Sequence, residues 1–112
     1  MRAYELGVIV SGEVEEPAAQ AWVKTVSAQI VAAGGQLVGN PEWWGRRRFA
    51  FEIAKRWEGY YFFLNVVAPG GALDGLERSL RLADDIVRHK LIRLPDAEAR
   101  KRNMLVAAAP VA

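Results

Sequence analysis

The stretch Trp43-Trp44-Gly45-Arg46-Arg47-Arg48-Phe49-Ala50-Phe51-Glu52-Ile53-Ala54-Lys55 and the run Tyr60-Tyr61-Phe62-Phe63-Leu64-Asn65-Val66-Val67-Ala68 together decide the fold. Both read as strands, and Lys55 to Gly59 reads as the hairpin loop that joins them. In the first run Arg47, Phe49, Phe51 and Ile53 share one face, and Arg46, Arg48, Ala50 and Glu52 share the other. The aromatic half is expected to anchor this strand in a core. The basic half then projects guanidinium groups from the outer end of a rigid element, which suits a polyanion better than a small substrate. The second run is apolar on both faces, as in a strand that is central or covered on one side by a partner.

Working outward from this hairpin, Ala3 to Ser11 alternates as a strand, with Tyr4, Leu6, Val8 and Val10 on one face. Glu13, Glu15, Glu16 and Pro17 then lead into a helix. Proline fits the first turn, and acidic side chains suit the positive end of the helix dipole. Ala19, Trp22, Val23, Val26, Ile30 and Ala33 form its apolar stripe, and Gly34-Gly35 ends it. A second strand is expected from Gln36 to Ile53, with a bulge around Gly39 to Pro41. Pro69-Gly70-Gly71 punctuates the chain before a helix from Ala72 to Leu82, with Leu73, Leu76 and Leu80 inward. A last strand runs from Ile86 to Leu94.

The order is strand-helix-strand-strand-helix-strand, the ferredoxin-like βαββαβ plan of the α+β class. It places two helices on one face of a four-stranded antiparallel sheet and leaves the other face for water or a partner. Residues 1–94 are expected to form this domain. Residues 95–112, alanine-rich with a short basic patch, are expected to be an extended or disordered tail.

A chain of 112 residues suits one hydrophobic core. Its net charge of +2 conceals an uneven distribution. Residues 1–41 carry two basic and four acidic side chains, whereas residues 42–93 carry ten basic and seven acidic ones. Clustering of this kind sets up a local field that the net charge hides. The chain has no cysteine and a single histidine, which excludes disulfide scaffolds and thiolate chemistry and argues against a transition-metal site. The N-terminus lacks the apolar run of a signal peptide, and no segment has the length needed to span a bilayer. A soluble, cytoplasmic protein is expected.

The Arg46–Arg48 run is the strongest candidate site, because guanidinium groups make charge-assisted, often bidentate bonds to phosphate. On spacing alone, a solvated edge strand explains the run equally well. Arg88 and Lys90 share one face of the last strand and Arg93 lies on the other, so a ligand touching all three must grip an edge or end. Tyr61, Phe63 and Ile9 are expected to form an apolar strip on the open sheet face. The strip lacks the signature of an RNA-recognition motif, and a protein contact explains it better than base stacking. One of Trp43 and Trp44 is expected to pack and the other to lie at an interface. His89 has no catalytic company, the glutamates of residues 13–16 lack the spacing of a calcium loop, and no phosphate-binding loop is present. Neither a catalytic constellation nor a cofactor site emerges.

Four segments resemble one family: Met1-Arg2-Ala3-Tyr4-Glu5, Trp44 through Lys55, Gly59-Tyr60-Tyr61, and Asp85 through Arg93. The chain is similar over residues 1–94 to the sixth protein of the bacterial small ribosomal subunit. This resemblance implies a ferredoxin-like, non-enzymatic protein that binds the central domain of 16S ribosomal RNA together with the eighteenth small-subunit protein. By matching position it marks Arg2, Arg46, Arg47, Lys55, Arg88 and Arg93 as RNA-facing. Arg48, Arg81 and Lys90 join them on charge and expected exposure. The strip of Tyr61, Phe63 and Ile9, with the tail, is the candidate surface for the protein partner. Glu52, where many members carry proline, departs from the pattern, as does the pair Asp84-Asp85. The competing reading is a ferredoxin-like dimerising or regulatory domain without RNA affinity.

Overall fold

The architecture follows from a computed structural model that describes residues 1–53 and 56–102. Its elements are β1 (Arg2–Ser11), α1 (Glu16–Ala32), β2 (Gln36–Leu37), β3 (Glu42–Ile53), β4 (Arg56–Ala68), α2 (Asp74–Leu82), β5 (Ile86–Arg93) and α3 (Asp96–Lys101). All strand pairings are antiparallel. β1 and β4 lie at the centre, β5 flanks β1, and β2 and β3 both pair with β4. β2 borders Val66 and Val67, whereas β3 borders residues 56–63, so the two together fill one edge. The ferredoxin-like α+β fold is therefore present, with its second strand broken into two pieces. The break follows from Gly39, Asn40 and Pro41: proline cannot donate to a ladder, and this tripeptide favours a turn.

One face of the sheet is closed by α1 and α2. Leu6 opposes Leu64, Val8 opposes Phe62 and Val10 opposes Tyr60, and their side chains meet Val26, Ile30, Leu76 and Leu80 in one apolar cluster. The expected inward residues of α2, Leu73, Leu76 and Leu80, are all buried. In α1 the buried positions are Ala19, Val26 and Ile30, with Trp22 and Val23 partly covered, while Ala33 lies past the helix end and is exposed. Tyr60 is tied to the corner after β1 by a hydroxyl that donates to the Val14 carbonyl at 3.1 Å.

Three sequence expectations change. β4 starts at Arg56, so Arg56 to Gly59 is strand instead of loop, and Ile53 pairs with Arg56. The outer limb of β3 does not anchor in the core as a whole. Phe49 is buried, Phe51 is 65% exposed and Ile53 is half-buried, because regular pairing lapses between Arg48 and Ile53. Beyond Pro95, residues 96–101 are helical instead of extended. α3 lays Ala99 against Ala3, Val67 and Leu94, and Arg102 bonds Glu5 at 2.6 Å and Glu98 at 3.0 Å. Those neighbouring carboxylates hold the Arg102 guanidinium above its ordinary pKa.

Candidate nucleic-acid interface

The phase of the arginine run is set by a bulge. Trp43 pairs with Phe62, but the next pair is Gly45 with Tyr61, so Trp44 is an extra residue on β3. Gly45 takes φ 78°, a left-handed conformation that glycine adopts without a side-chain penalty and that recurs at bulges. Trp43 therefore stacks towards the core on Tyr60 and Phe62, with ring centroids 5.8 and 6.4 Å away. Trp44 lies on the open face against Tyr61 and Phe63, at 6.2 and 4.5 Å, and is 46% exposed. Trp43 is thus the packed member of the pair and Trp44 the exposed one.

After the bulge Arg46 opposes Tyr60, Arg47 opposes Gly59 and Arg48 opposes Glu58. Each guanidinium sits over an aromatic ring: Arg46 over Tyr60 at 5.8 Å, Arg47 over Trp44 at 5.8 Å and Arg48 over Trp57 at 5.9 Å. Cation–π contact of this kind orients the group while leaving its N–H donors outward. Arg46 also donates to Glu58 Oε2 through Nε and Nη2, at 3.2 and 2.8 Å. That hydrogen bond, with the carboxylate's charge, raises the Arg46 pKa above its ordinary value. Arg47 Nε donates to the Trp44 carbonyl at 3.3 Å.

A glycine fixes the base of this strand. A Cβ at Gly59 would stand 2.7 Å from Ile9 Cγ2, 2.8 Å from the Val10 carbonyl oxygen and 3.0 Å from Phe49 Cζ. Lacking one, Gly59 lets the Phe49 ring lie across β4, edge-on to Tyr61 at 6.0 Å. Phe49 is thus buried on the open side of the sheet, separate from the helix-covered core.

Ile9, Tyr61 and Phe63 do share the open face, half-buried. Arg88 opposes Ile9 and Lys90 opposes Gly7, so these two cations flank the same face. Together with Phe49 and Phe51 they border an open concavity of about 400 Å³. The apolar strip and part of the basic set, assigned to different partners from sequence, are neighbours here. Arg93 opposes Tyr4 and Arg2 opposes Ala68, at the far end of the sheet from Arg47. The ends of β1, Arg2 and Ser11, are nine residue steps apart, about 30 Å at roughly 3.4 Å per step. Arg81 is exposed in the last turn of α2, on the helical layer. Lys55 lies outside the described residues.

Sequence reasoning missed Trp57, Arg56 and Glu58, which it placed in a loop. Trp57 seats Arg48, Glu58 pairs Arg46, and Arg56 lines a second concavity with them. The available signal was the aromatic-cation pair Arg56-Trp57 inside the expected loop. Among the described residues no cluster of three or more His, Asp or Glu side chains could hold a metal, and no helix is long and apolar enough to cross a membrane.

Residues 3–93 match the family model described as ribosomal protein S6. The chain belongs to the ribosomal protein S6 family. It is 38% identical over 93 residues to the small ribosomal subunit protein bS6 of Carboxydothermus hydrogenoformans, covering 83% of this chain and 96% of that one. With bS6 of Beutenbergia cavernae it shares 43% identity over 98 residues, covering 87% and 99% of the two chains. The crystal structure of 30S ribosomal protein S6 from Thermotoga maritima superposes with a TM-score of 0.82 at 30% identity, over 93% of this chain and 97% of that one. Membership in the S6 family makes the chain a structural protein of the small ribosomal subunit and not an enzyme.

Proposed function

We propose that the chain binds the central domain of 16S ribosomal RNA through its basic β3 edge, cooperatively with the eighteenth small-subunit protein seated on the open sheet face. The observation that carries this reading is the arginine run, in which three successive guanidiniums each rest over an aromatic ring on a paired strand. Groups held this way lose little freedom on meeting phosphate, and phosphate contacts dominate RNA affinity. Recognition by shape and backbone then follows, with little dependence on base identity.

Arg46, Arg47 and Arg48 form the principal set, with Arg88 and Lys90 at the rim of the open face. Arg2 and Arg93 serve a second RNA segment at the opposite end, and Arg81 and Lys55 complete the set. Tyr61, Phe63 and Ile9 receive the protein partner. Because Arg88 and Lys90 border that strip, one docking event orders the side chains that the other uses, which is a physical route to cooperativity.

The test is binding to a central-domain RNA fragment across a salt series, with and without the eighteenth protein. Affinity should fall steeply with salt, each phosphate contact adding about 0.7–0.9 to the logarithmic slope. The partner should strengthen binding by about 5–150-fold, the usual range of coupling between sites. Equal affinity with and without the partner would remove the cooperative half of the proposal. No binding in either condition, together with a stable homodimer, would favour self-association through the open face, where Phe51 is 65% and Trp44 46% exposed.

A further inference from the structure

At the tip of the β3–β4 hairpin, Arg46, Arg48, Arg56, Trp57, Glu58, Gly12 and Glu13 enclose a concavity of about 410 Å³, distinct from the one on the open face. Three guanidiniums and one indole meet there. Trp57 is 49% exposed although Arg48 lies over its ring, so a wide aromatic area faces solvent beside fixed positive charge. Two carboxylates share the site. Glu58 is already engaged by Arg46 at 2.8 Å, which leaves Glu13 against Arg48 and Arg56. A site for bare phosphate would not need an exposed tryptophan, and a site for an apolar peptide would not need three arginines. Both features together fit a nucleotide: its base stacks on an aromatic surface while its phosphate meets the cations.

We infer that Trp57 is a stacking platform for an unpaired RNA base, with Arg48 and Arg56 holding the adjoining phosphates. This inference rests on the RNA-binding reading and adds to it a contact with a base, where the β3 arginines alone would touch only backbone. The base must be extruded from a loop, bulge or end, since duplex RNA does not offer a free face.

The experiment compares Trp57→Phe and Trp57→Leu in binding to the central-domain fragment, in the presence of the eighteenth protein and over a salt series. The leucine variant should bind about tenfold more weakly, within the range for losing one base–aromatic stack. Its salt slope should match the unsubstituted chain, because no charge is removed. The phenylalanine variant should stay within about twofold, since a smaller ring still stacks. Trp57 is exposed, so both variants should keep their thermal midpoint, and photo-crosslinking of 4-thiouridine-substituted RNA to Trp57 reads the contact independently. Leucine binding as tightly as tryptophan would overturn the inference while leaving the arginine contacts standing, and so would phenylalanine failing as badly as leucine. An RNA that does not bind the unsubstituted chain would overturn the RNA reading itself.

Discussion

The two faces of this sheet are built from alternate residues of the same two strands, and they are covered to very different extents. On the helix-covered face Leu6, Val8, Val10, Phe62 and Leu64 are all 2% exposed or less. On the open face, one residue along in each case, Gly7, Ile9, Tyr61 and Phe63 are half-covered and border Arg88, Lys90 and Trp44. On the proposed function, the period of two separates stability from recognition within a single pair of strands. A substitution on one face should be read in unfolding, and its neighbour's in binding.

The sharpest contrast is Phe62 against Phe63. Phe62→Ala should cost about 3–5 kcal/mol in urea unfolding, because a fully buried ring leaves a cavity under two helices. Phe63→Ala should cost clearly less and should instead weaken binding of the eighteenth protein. Equal losses of stability from the two would erase the distinction between the faces.

Gly59→Ala comes next, at about 1–3 kcal/mol of overpacking, because the added carbon would press on a backbone oxygen at 2.8 Å that cannot easily yield. By displacing Phe49 it should also lower RNA affinity, which links the two faces through one close approach. Full stability and affinity in this variant would mean that the Phe49 seat does not fix β3.

Arg102→Ala should be smaller, about 0.5–1 kcal/mol, since both partners of the Glu5 pair keep a third of their side chain in water. The sign with pH follows from the raised guanidinium pKa. The contribution is complete below the ordinary arginine value and is lost only as pH rises through the still higher folded value. Thermal melts of the variant and the unsubstituted chain should therefore differ by a constant amount from neutral to mildly alkaline pH. Smallest of all, Phe51→Ser should change stability by less than about 0.5 kcal/mol, because the ring is already mostly in solvent.

These contrasts also mark where the sequence was readable. The alternation in β1 and β4, the helical stripe through Val26 and Ile30, and the leucines of α2 carry strong periodic signals, and the burial pattern follows them. Phe51 shows the limit. Its alternation with Phe49 continues unbroken, but pairing with β4 lapses between Arg48 and Ile53, and no local pattern records where a partner strand ends. α3 was illegible for a different reason: Ala99 is its one buried residue, too small and too solitary to make a stripe. In the candidate site the arginine run was plain. The bulge at Trp44-Gly45, which sets the face each arginine takes, is a property of two strands together. The same holds for Trp57, whose meaning depends on Arg48 lying across the hairpin from it.

The most direct test of the central claim is the salt dependence of binding to the central-domain RNA by the Arg46→Ala/Arg47→Ala double variant, with the eighteenth protein present. If β3 supplies the phosphate contacts, affinity should fall, and the logarithmic salt slope should shrink by about 2 while the unfolding midpoint is retained. An unchanged affinity and slope in a folded double variant would contradict the account and move the RNA contacts elsewhere on the molecule.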